Sequence, residues 1–374
     1  MFLQELTKKF VSSLLKMKEL AFTKTILAWY DQNKRDLPWR NTHDPYVIWI
    51  SEVILQQTRV GQGLDYFLRF IERFPTVTAL ARSDEQDVLK VWQGLGYYTR
   101  ARNLHAAARD IVFNNGGVFP DSYDKLIKLK GIGPYTAAAI ASIAFNLPCP
   151  VVDGNVLRFF SRYFGISIPI DSSAGRKKIY DKAVLLIDHQ RPGTFNQAIM
   201  EFGALQCTPG KPDCESCPLK ESCLAFLQGK AELLPVKRTL TRQRNRYLHY
   251  LVVISEDWQK NKHVYLRKRE EKDVWMNLYD FPLIETDHDL TEEELMSSEV
   301  TQHILKNKIR LIHKSHLVKH ILSHQVIFAR FYIFVQTGKR NAKLHYMLIP
   351  LEEIHNYPVP RLIEQFIHTK MMGI

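Results

Sequence analysis

Leu129-Lys130-Gly131-Ile132-Gly133-Pro134-Tyr135 and, nineteen residues after Pro134, Asp153 in Val151-Val152-Asp153-Gly154-Asn155-Val156 are the stretches on which the reading of this chain turns. Gly131 and Gly133 mark a sharp turn, and Pro134 suits the first turn of a following helix, where a missing N–H costs nothing. A helix–hairpin–helix is expected, with glycine backbone free to approach a phosphate and a helix N-terminus adding favourable partial charge. By themselves these residues fit an ordinary turn between packed helices equally well, and Asp153 fits a helix cap.

Outward from the hairpin, apolar residues recur at three- and four-residue spacing from Thr23 to Phe226, as in Tyr46–Arg59 and Tyr135–Phe145, which predicts an all-α domain over 23–227. Residues 1–22 scatter Lys8, Lys9, Lys16 and Lys18 among apolar positions and read as a helical extension, not an export signal. Lys237, Arg238, Arg242, Arg244 and Arg246 crowd the stretch 228–246, read as a basic linker able to touch a DNA backbone. Beyond it the period changes to two. Leu248, Tyr250, Val252 and Ile254 share one face and Val326–Val335 is rich in β-branched and aromatic residues, so 247–374 is expected to be a mainly β domain with some helix.

Across the 374 residues Lys plus Arg outnumber Asp plus Glu by 51 to 39, and the resulting +12 favours a polyanion, nucleic acid before a membrane surface. No eighteen apolar residues run together, so a soluble protein of the cell interior is expected. Cys207, Cys214, Cys217 and Cys223 leave gaps of six, two and five residues, which lets four thiolates converge from one short loop. Metal is favoured over disulfides, and on spacing alone an iron–sulfur cluster and zinc stand level. Glu52 has Ile48, Trp49, Leu55 and Gln56 as helical neighbours, a setting that desolvates a carboxyl and favours its protonated form, as a general acid needs.

Five blocks carry a family resemblance: Leu37-Pro38-Trp39-Arg40, Ser51-Glu52-Val53-Ile54-Leu55-Gln56-Gln57-Thr58, Gly94-Leu95-Gly96-Tyr97-Tyr98, Val152-Asp153-Gly154-Asn155 and Phe195-Asn196-Gln197-Ala198. In order and spacing they resemble the MutY family of adenine DNA glycosylases within the endonuclease III superfamily. The resemblance implies a monofunctional enzyme of base-excision repair that hydrolyses adenine from double-stranded DNA opposite 8-oxoguanine or guanine. Endonuclease III places a lysine nucleophile where this chain has Tyr135 and lacks an equivalent of Glu52, so a bifunctional lyase is disfavoured, as is a non-catalytic damage-binding protein.

Carried over by position, Glu52 would protonate adenine, Asp153 would stabilise the oxocarbenium-like sugar, and Tyr135 and Asn155 would support them. Arg35, Trp39, Arg40, Leu55 and Gln197 match the adenine pocket. Gln57 and Tyr97 match residues that enter the duplex, Thr58 and Leu95 contacts to the oxidised guanine, and Gly131 and Gly133 the phosphate grip. The cysteine spacing resembles the family's loop for one 4Fe–4S cluster. The second domain resembles a Nudix-like domain through Trp275–Pro282 and Ile321-Leu322-Ser323-His324, with Ser323 and His324 as the guanine readers. No acidic metal-binding helix of a working Nudix hydrolase is recognised there, and Leu322 stands where the family has phenylalanine. A cytoplasmic, nucleoid-associated monomer is expected.

Overall fold

The computed structural model describes residues 2–238, 243–304, 309–322, 324–336 and 346–371, with side chains described from Met17 onward, Lys18 excepted. Ser323 therefore lies outside the described residues. Two compact units emerge, and they do not follow chain order: Met1–Arg82 with Ala106–Thr239, and Ser83–His105 with Leu240–Ile374.

The helical unit is built from α1 (Phe2–Asn33), α2 (Pro45–Leu55), α3 (Val60–Arg73), α4 (Val77–Arg82) and the latter part of α6 (Thr99–Phe113), α5 (Glu85–Val91) lying in the other unit. It continues through α7 (Tyr123–Leu126), α8 (Pro134–Phe145), α9 (Gly154–Tyr163), α10 (Ser173–Leu186), α11 (Pro192–Leu205) and α12 (Leu224–Leu227). The extension and the first helix of the domain are one unbroken helix, α1.

Local sequence explains the helix starts. Asp44 caps α2 by accepting from the Tyr46 N–H, with Pro45 following; Pro134 opens α8. Helix α8 is buried at every position from Thr136 to Ile143 and is rich in alanine, so its neighbours come close. A Cβ added to Gly193 of α11 would sit 2.7 Å from the Ser142 carbonyl, and one added to Gly203 would sit 2.8 Å from that of Asn155. These two glycines let α11 lie against both α8 and the start of α9. The shared core joins Phe22, Ile26 and Tyr30 of α1 to Phe159 and Phe160 of α9 and Phe195, Ile199 and Phe202 of α11.

The second unit holds a mixed sheet of β1 (Arg244–Glu256), β2 (Lys262–Lys268), β3 (Tyr279–Asp280), β4 (Leu283–Thr286), β5 (Ile309–Lys314), β6 (Val318–Ile321), β7 (Gln325–Gln336) and β8 (Met347–Pro350). The order is β3-β2-β1-β7-β5, with β1 and β7 parallel. Strand β1 is buried on both faces from Leu248 to Ser255, not on the single face that alternation suggested. One face packs Leu251 and Val253 with Leu295 of α13 (Glu292–Ser297) and Ile304 of α14 (Glu299–Ile304). On the other, Tyr250 stacks on Phe331, which stacks 3.9 Å from Phe366 of α15 (Arg361–Phe366). A central strand covered on both sides is the usual consequence of a parallel neighbour.

Two sequence expectations change here. Arg246, read as linker, is a buried strand residue that pairs with Asp273 at 3.1 Å and Glu285 at 2.7 Å. The start of the expected linker is also tied down, since Leu234 is buried and its carbonyl accepts from Arg162 Nε at 2.8 Å. An acidic turn does occur in α13, where Glu292, Glu293 and Glu294 are all exposed and Glu294 closes a capping box with Thr291.

Asp280 is fully buried and bridges Arg267 at 2.8 Å and Arg269 at 2.6 Å. Asp280→Ala should therefore destabilise the sheet unit by about 3–5 kcal/mol, because it leaves buried guanidinium groups without their counter-charge. Thermal unfolding followed by near-ultraviolet circular dichroism checks this, and an unshifted transition would contradict it.

Candidate active site

Glu52 sits in the middle of α2 with 7% of its surface exposed, among Ile48, Trp49 and Val53. Tyr135, the second residue of α8, donates its phenol hydrogen to Glu52 Oε2 and lies 3.6 Å from Met200 Sδ. Gln56 Nε2 donates to Thr136 Oγ1 at 3.1 Å and ties the end of α2 to the same turn of α8. Burial pushes the Glu52 carboxyl up to about 7, with the nearby Asp153 adding to the rise and the Tyr135 hydrogen bond and Arg40 opposing it. Burial and the Glu52 charge push the Tyr135 phenol well above its ordinary value, so it stays a donor.

Asp153 is the N-cap of α9 and accepts from the Val156 N–H and from Asn155 Nδ2, both at 2.7 Å. Burial raises its pKa while these two donors and Arg158 oppose the rise. Donors on both oxygens at a helix N-terminus suit the ionised form. Arg158 extends the network: it donates to Asn155 Oδ1 at 3.0 Å, to the Gly203 carbonyl at 2.5 Å and to the Cys207 carbonyl at 2.8 Å.

Asn196 is a residue to which the sequence motifs give no role. It is fully buried, accepts from the Val151 N–H at 3.0 Å, and donates to Ser142 Oγ at 2.9 Å and the Cys149 carbonyl at 2.8 Å. This amide pins the strand-like approach to Asp153 against α8. An asparagine between Phe195 and Ile199 on a buried helical face was the available signal.

Two of the adenine-pocket candidates, Arg35 and Arg40, converge on a residue to which the sequence motifs give no role, Glu201. Arg35 pairs with it at 2.5 Å and Arg40 at 2.7 Å. Burial alone would raise the Glu201 carboxyl, but hydrogen bonds from both arginines hold it at about 2. Arg35 and Arg40 are therefore held in place by one shared carboxylate. Tyr30 donates to Gln197 Oε1 at 2.9 Å, Trp39 packs edge-on against Phe67 at 4.9 Å, and Leu55 is partly buried at the end of α2.

Residues expected at the duplex sit in unusual backbone. Gln57 and Tyr97 have φ of 60° and 50°, left-handed values that cost a non-glycine residue on the order of 1–3 kcal/mol. Thr58 follows Gln57 in the helical unit and is partly buried. In the second unit, Tyr97 is 49% exposed whereas Leu95 is 8% exposed, so a base contact at Leu95 would come from backbone. Gly131 has φ 79°, and nothing lies within 4 Å of a Cβ built on Gly133, which leaves room for a phosphate at the start of α8. His324 is exposed beside β7.

Cys207, Cys214, Cys217 and Cys223 line one apolar cavity with Phe202, Leu219 and Arg162, whose Nη1 is 3.4 Å from Cys207 Sγ. Burial raises the thiols of Cys214, Cys217 and Cys223, that of Cys217 to about 11, so a cationic centre would be needed to hold them as thiolates. Among the described residues no three His, Cys, Asp or Glu are placed to hold a single ion. All four cysteines line this one cavity. Cys149 stands apart and is only partly buried.

Residues 50–179 match the family described as HhH-GPD superfamily base excision DNA repair protein, and 249–369 match the NUDIX domain. The class is thus a helix–hairpin–helix DNA glycosylase followed by a Nudix-like domain. Over 356 residues the chain is 34% identical to an adenine DNA glycosylase of Buchnera aphidicola, covering 94% of this chain and 99% of that protein. It is 41% identical to the human adenine DNA glycosylase over 230 residues, 59% of this chain and 42% of that one. A thermostable thymine-DNA glycosylase shares the helical fold with a TM-score of 0.53 at 31% identity, over 57% of this chain and 99% of its own. The chain belongs to the adenine DNA glycosylase family.

The electrostatics of Glu52 can be read without turnover. In infrared difference spectra a protonated-carboxyl band should fade around pH 7 and be missing from Glu52→Gln. A band already gone by about pH 5, where solvated glutamates have titrated, would contradict the buried acid.

Proposed function

We propose that this enzyme is a monofunctional glycosylase that flips adenine out of duplex DNA and hydrolyses its bond to deoxyribose, acting opposite 8-oxoguanine or guanine and so preventing G:C to T:A change. The observation that carries the reading is a buried Glu52, half protonated near neutrality, bonded to Tyr135 at the place where a lyase needs an amine. As the C–N bond breaks, its electron pair leaves with adenine and Glu52 supplies the proton. The sugar becomes cationic, and Asp153 faces it as an anion held by Val156 and Asn155 until water adds and gives up a proton to Glu52, left as the carboxylate. Tyr135 keeps the acid oriented. The adenine DNA glycosylases among its relatives support the base, and Arg35, Trp39, Arg40, Leu55 and Gln197 would hold it.

Selectivity for the oxidised guanine is assigned to Thr58, Leu95, Ser323 and His324, with Gln57 and Tyr97 filling space in the opened duplex. Flipping costs a few kcal/mol of stacking that an inserted ring partly restores. Cys207, Cys214, Cys217 and Cys223 would hold one 4Fe–4S cluster. When bound it would cross-link the loop 207–223 to itself through four bonds from cysteine sulfur to iron. The +12 charge supports action on DNA, and the enzyme is proposed to act as a monomer in the cytoplasm at the nucleoid.

Glu52→Gln should keep binding to the mispaired duplex and lose roughly 10²–10⁴-fold in single-turnover excision, the usual size of general acid catalysis. The product strand of the wild type should break only after alkali. Strand breaks without alkali, or a near-normal rate in the variant, would point to another mechanism.

Aerobically purified protein should absorb broadly in the blue and contain about four irons per chain. A colourless protein with one zinc would replace the cluster by a zinc site.

A further inference from the structure

We propose that the C-terminal domain acts as a clasp that positions the Gly94–Tyr98 loop, making Asn277, Glu364 and the Tyr357–Val359 backbone positioning residues for Tyr97; this rests on the glycosylase reading above.

Tyr97 is costly to hold. Gly94 and Gly96, with φ of 91° and 78°, reach the left-handed region freely as glycines, but Tyr97 between that turn and α6 has φ of 50°. For a non-glycine residue such a conformation persists only where surroundings over-determine it. Inside the loop, Trp92 Nε1 donates to the Gly96 carbonyl at 3.0 Å, and the Arg100 guanidinium lies over the rings of Trp92 and Tyr97 at 5.4 and 5.3 Å. Further restraints come from the far end of the chain.

Both ends of the Gln93 amide are engaged there: Nε2 donates to Glu364 Oε1 at 2.7 Å, and Oε1 accepts from the Val359 N–H at 3.1 Å. On the other flank, Tyr98 Oη accepts from the Gly94 N–H at 3.3 Å and donates to the Val359 carbonyl at 3.4 Å. The helices that carry the loop are gripped as well. Before it, Lys90 Nζ donates to the Tyr357 carbonyl at 3.3 Å and Glu85 Oε1 accepts from Asn277 Nδ2 at 2.5 Å. Gln86 Nε2 donates to the Asn277 carbonyl at 3.2 Å. After the loop, Arg102 Nη1 donates to the Met276 carbonyl at 2.8 Å.

These partners are 174 to 271 residues apart in sequence, which is why Ser83–His105 belongs to the second compact unit. The domain proposed to read guanine through Ser323 and His324 thereby also sets the ring that is proposed to enter the duplex. A truncation at the linker removes both devices at once.

The test uses the full-length protein carrying Asn277→Ala with Glu364→Ala. Amide hydrogen exchange over 94–100 should speed about tenfold or more, with β1 and β7 unchanged. The rise in fluorescence on binding of a 2-aminopurine beside the mispair, which reports unstacking, should be smaller than in the wild type, and single-turnover excision should slow about tenfold. In a Tyr97→Ala background the clasp substitutions should add little, because both act through one ring. Unchanged exchange over 94–100, or effects that simply add to Tyr97→Ala, would overturn the proposal. If exchange rises throughout the sheet, the variant has unfolded and Glu364→Gln alone, which keeps shape and removes charge, carries the same measurements. Wild-type unstacking by Tyr97→Ala itself would remove the functional half and refute the wedge role, leaving exchange to judge the clasp.

Discussion

The site depends on one electrostatic constraint: a carboxyl placed where it cannot easily ionise. Ionising Glu52 in its position costs roughly 3 kcal/mol more than in water, from a rise of 4.5 to about 7. That cost is imposed by α2, whose other residues from Ile48 to Ile54 are buried too, and by α8, whose alanines bring Tyr135 within hydrogen-bonding reach. The same close packing fixes α11 through Gly193 and Gly203, and α11 carries Asn196, Gln197 and Glu201. The chemistry and the helix packing are therefore one arrangement.

Three carboxyls in this unit show how environment divides labour. Glu52 has one hydrogen-bonding partner in an apolar setting and holds a proton. Glu201, equally out of water, has two arginines and sits near 2. Asp153 lies between them in character, desolvated but fed by two donors at a helix start. An acid, a structural anchor and a cation stabiliser arise from one functional group by changing its neighbours.

Much of this was legible in the sequence because it is local. The turn at Gly131–Pro134, the cap at Asp153, the apolar flanks of Glu52 and the cysteine spacing each act within a few residues. What was not legible depends on distant chain. Nothing near Glu201 announces Arg35 and Arg40, and nothing near Asn196 announces the 149–151 backbone. Arg246 looks like a linker charge until Asp273 and Glu285 are brought beside it. Alternation in β1 suggested one buried face because sequence shows a strand's period and not the parallel partner that covers its other side. The assignment of Ser83–His105 to the C-terminal unit is the largest such case, since periodicity there reads as one more helix of the first domain.

Burial leaves a proton on Glu52, while the donors at the start of α9 keep a charge on Asp153 against the same burial. The most direct measurement is the preference of the enzyme for duplexes carrying a cationic pyrrolidine over a neutral tetrahydrofuran in place of the adenosine sugar, at fixed salt. Wild-type protein should prefer the cation by at least about 10²-fold, as expected for a transition-state mimic, and Asp153→Asn should lose most of that preference. An undiminished preference in Asp153→Asn would show that the charge facing the sugar lies elsewhere.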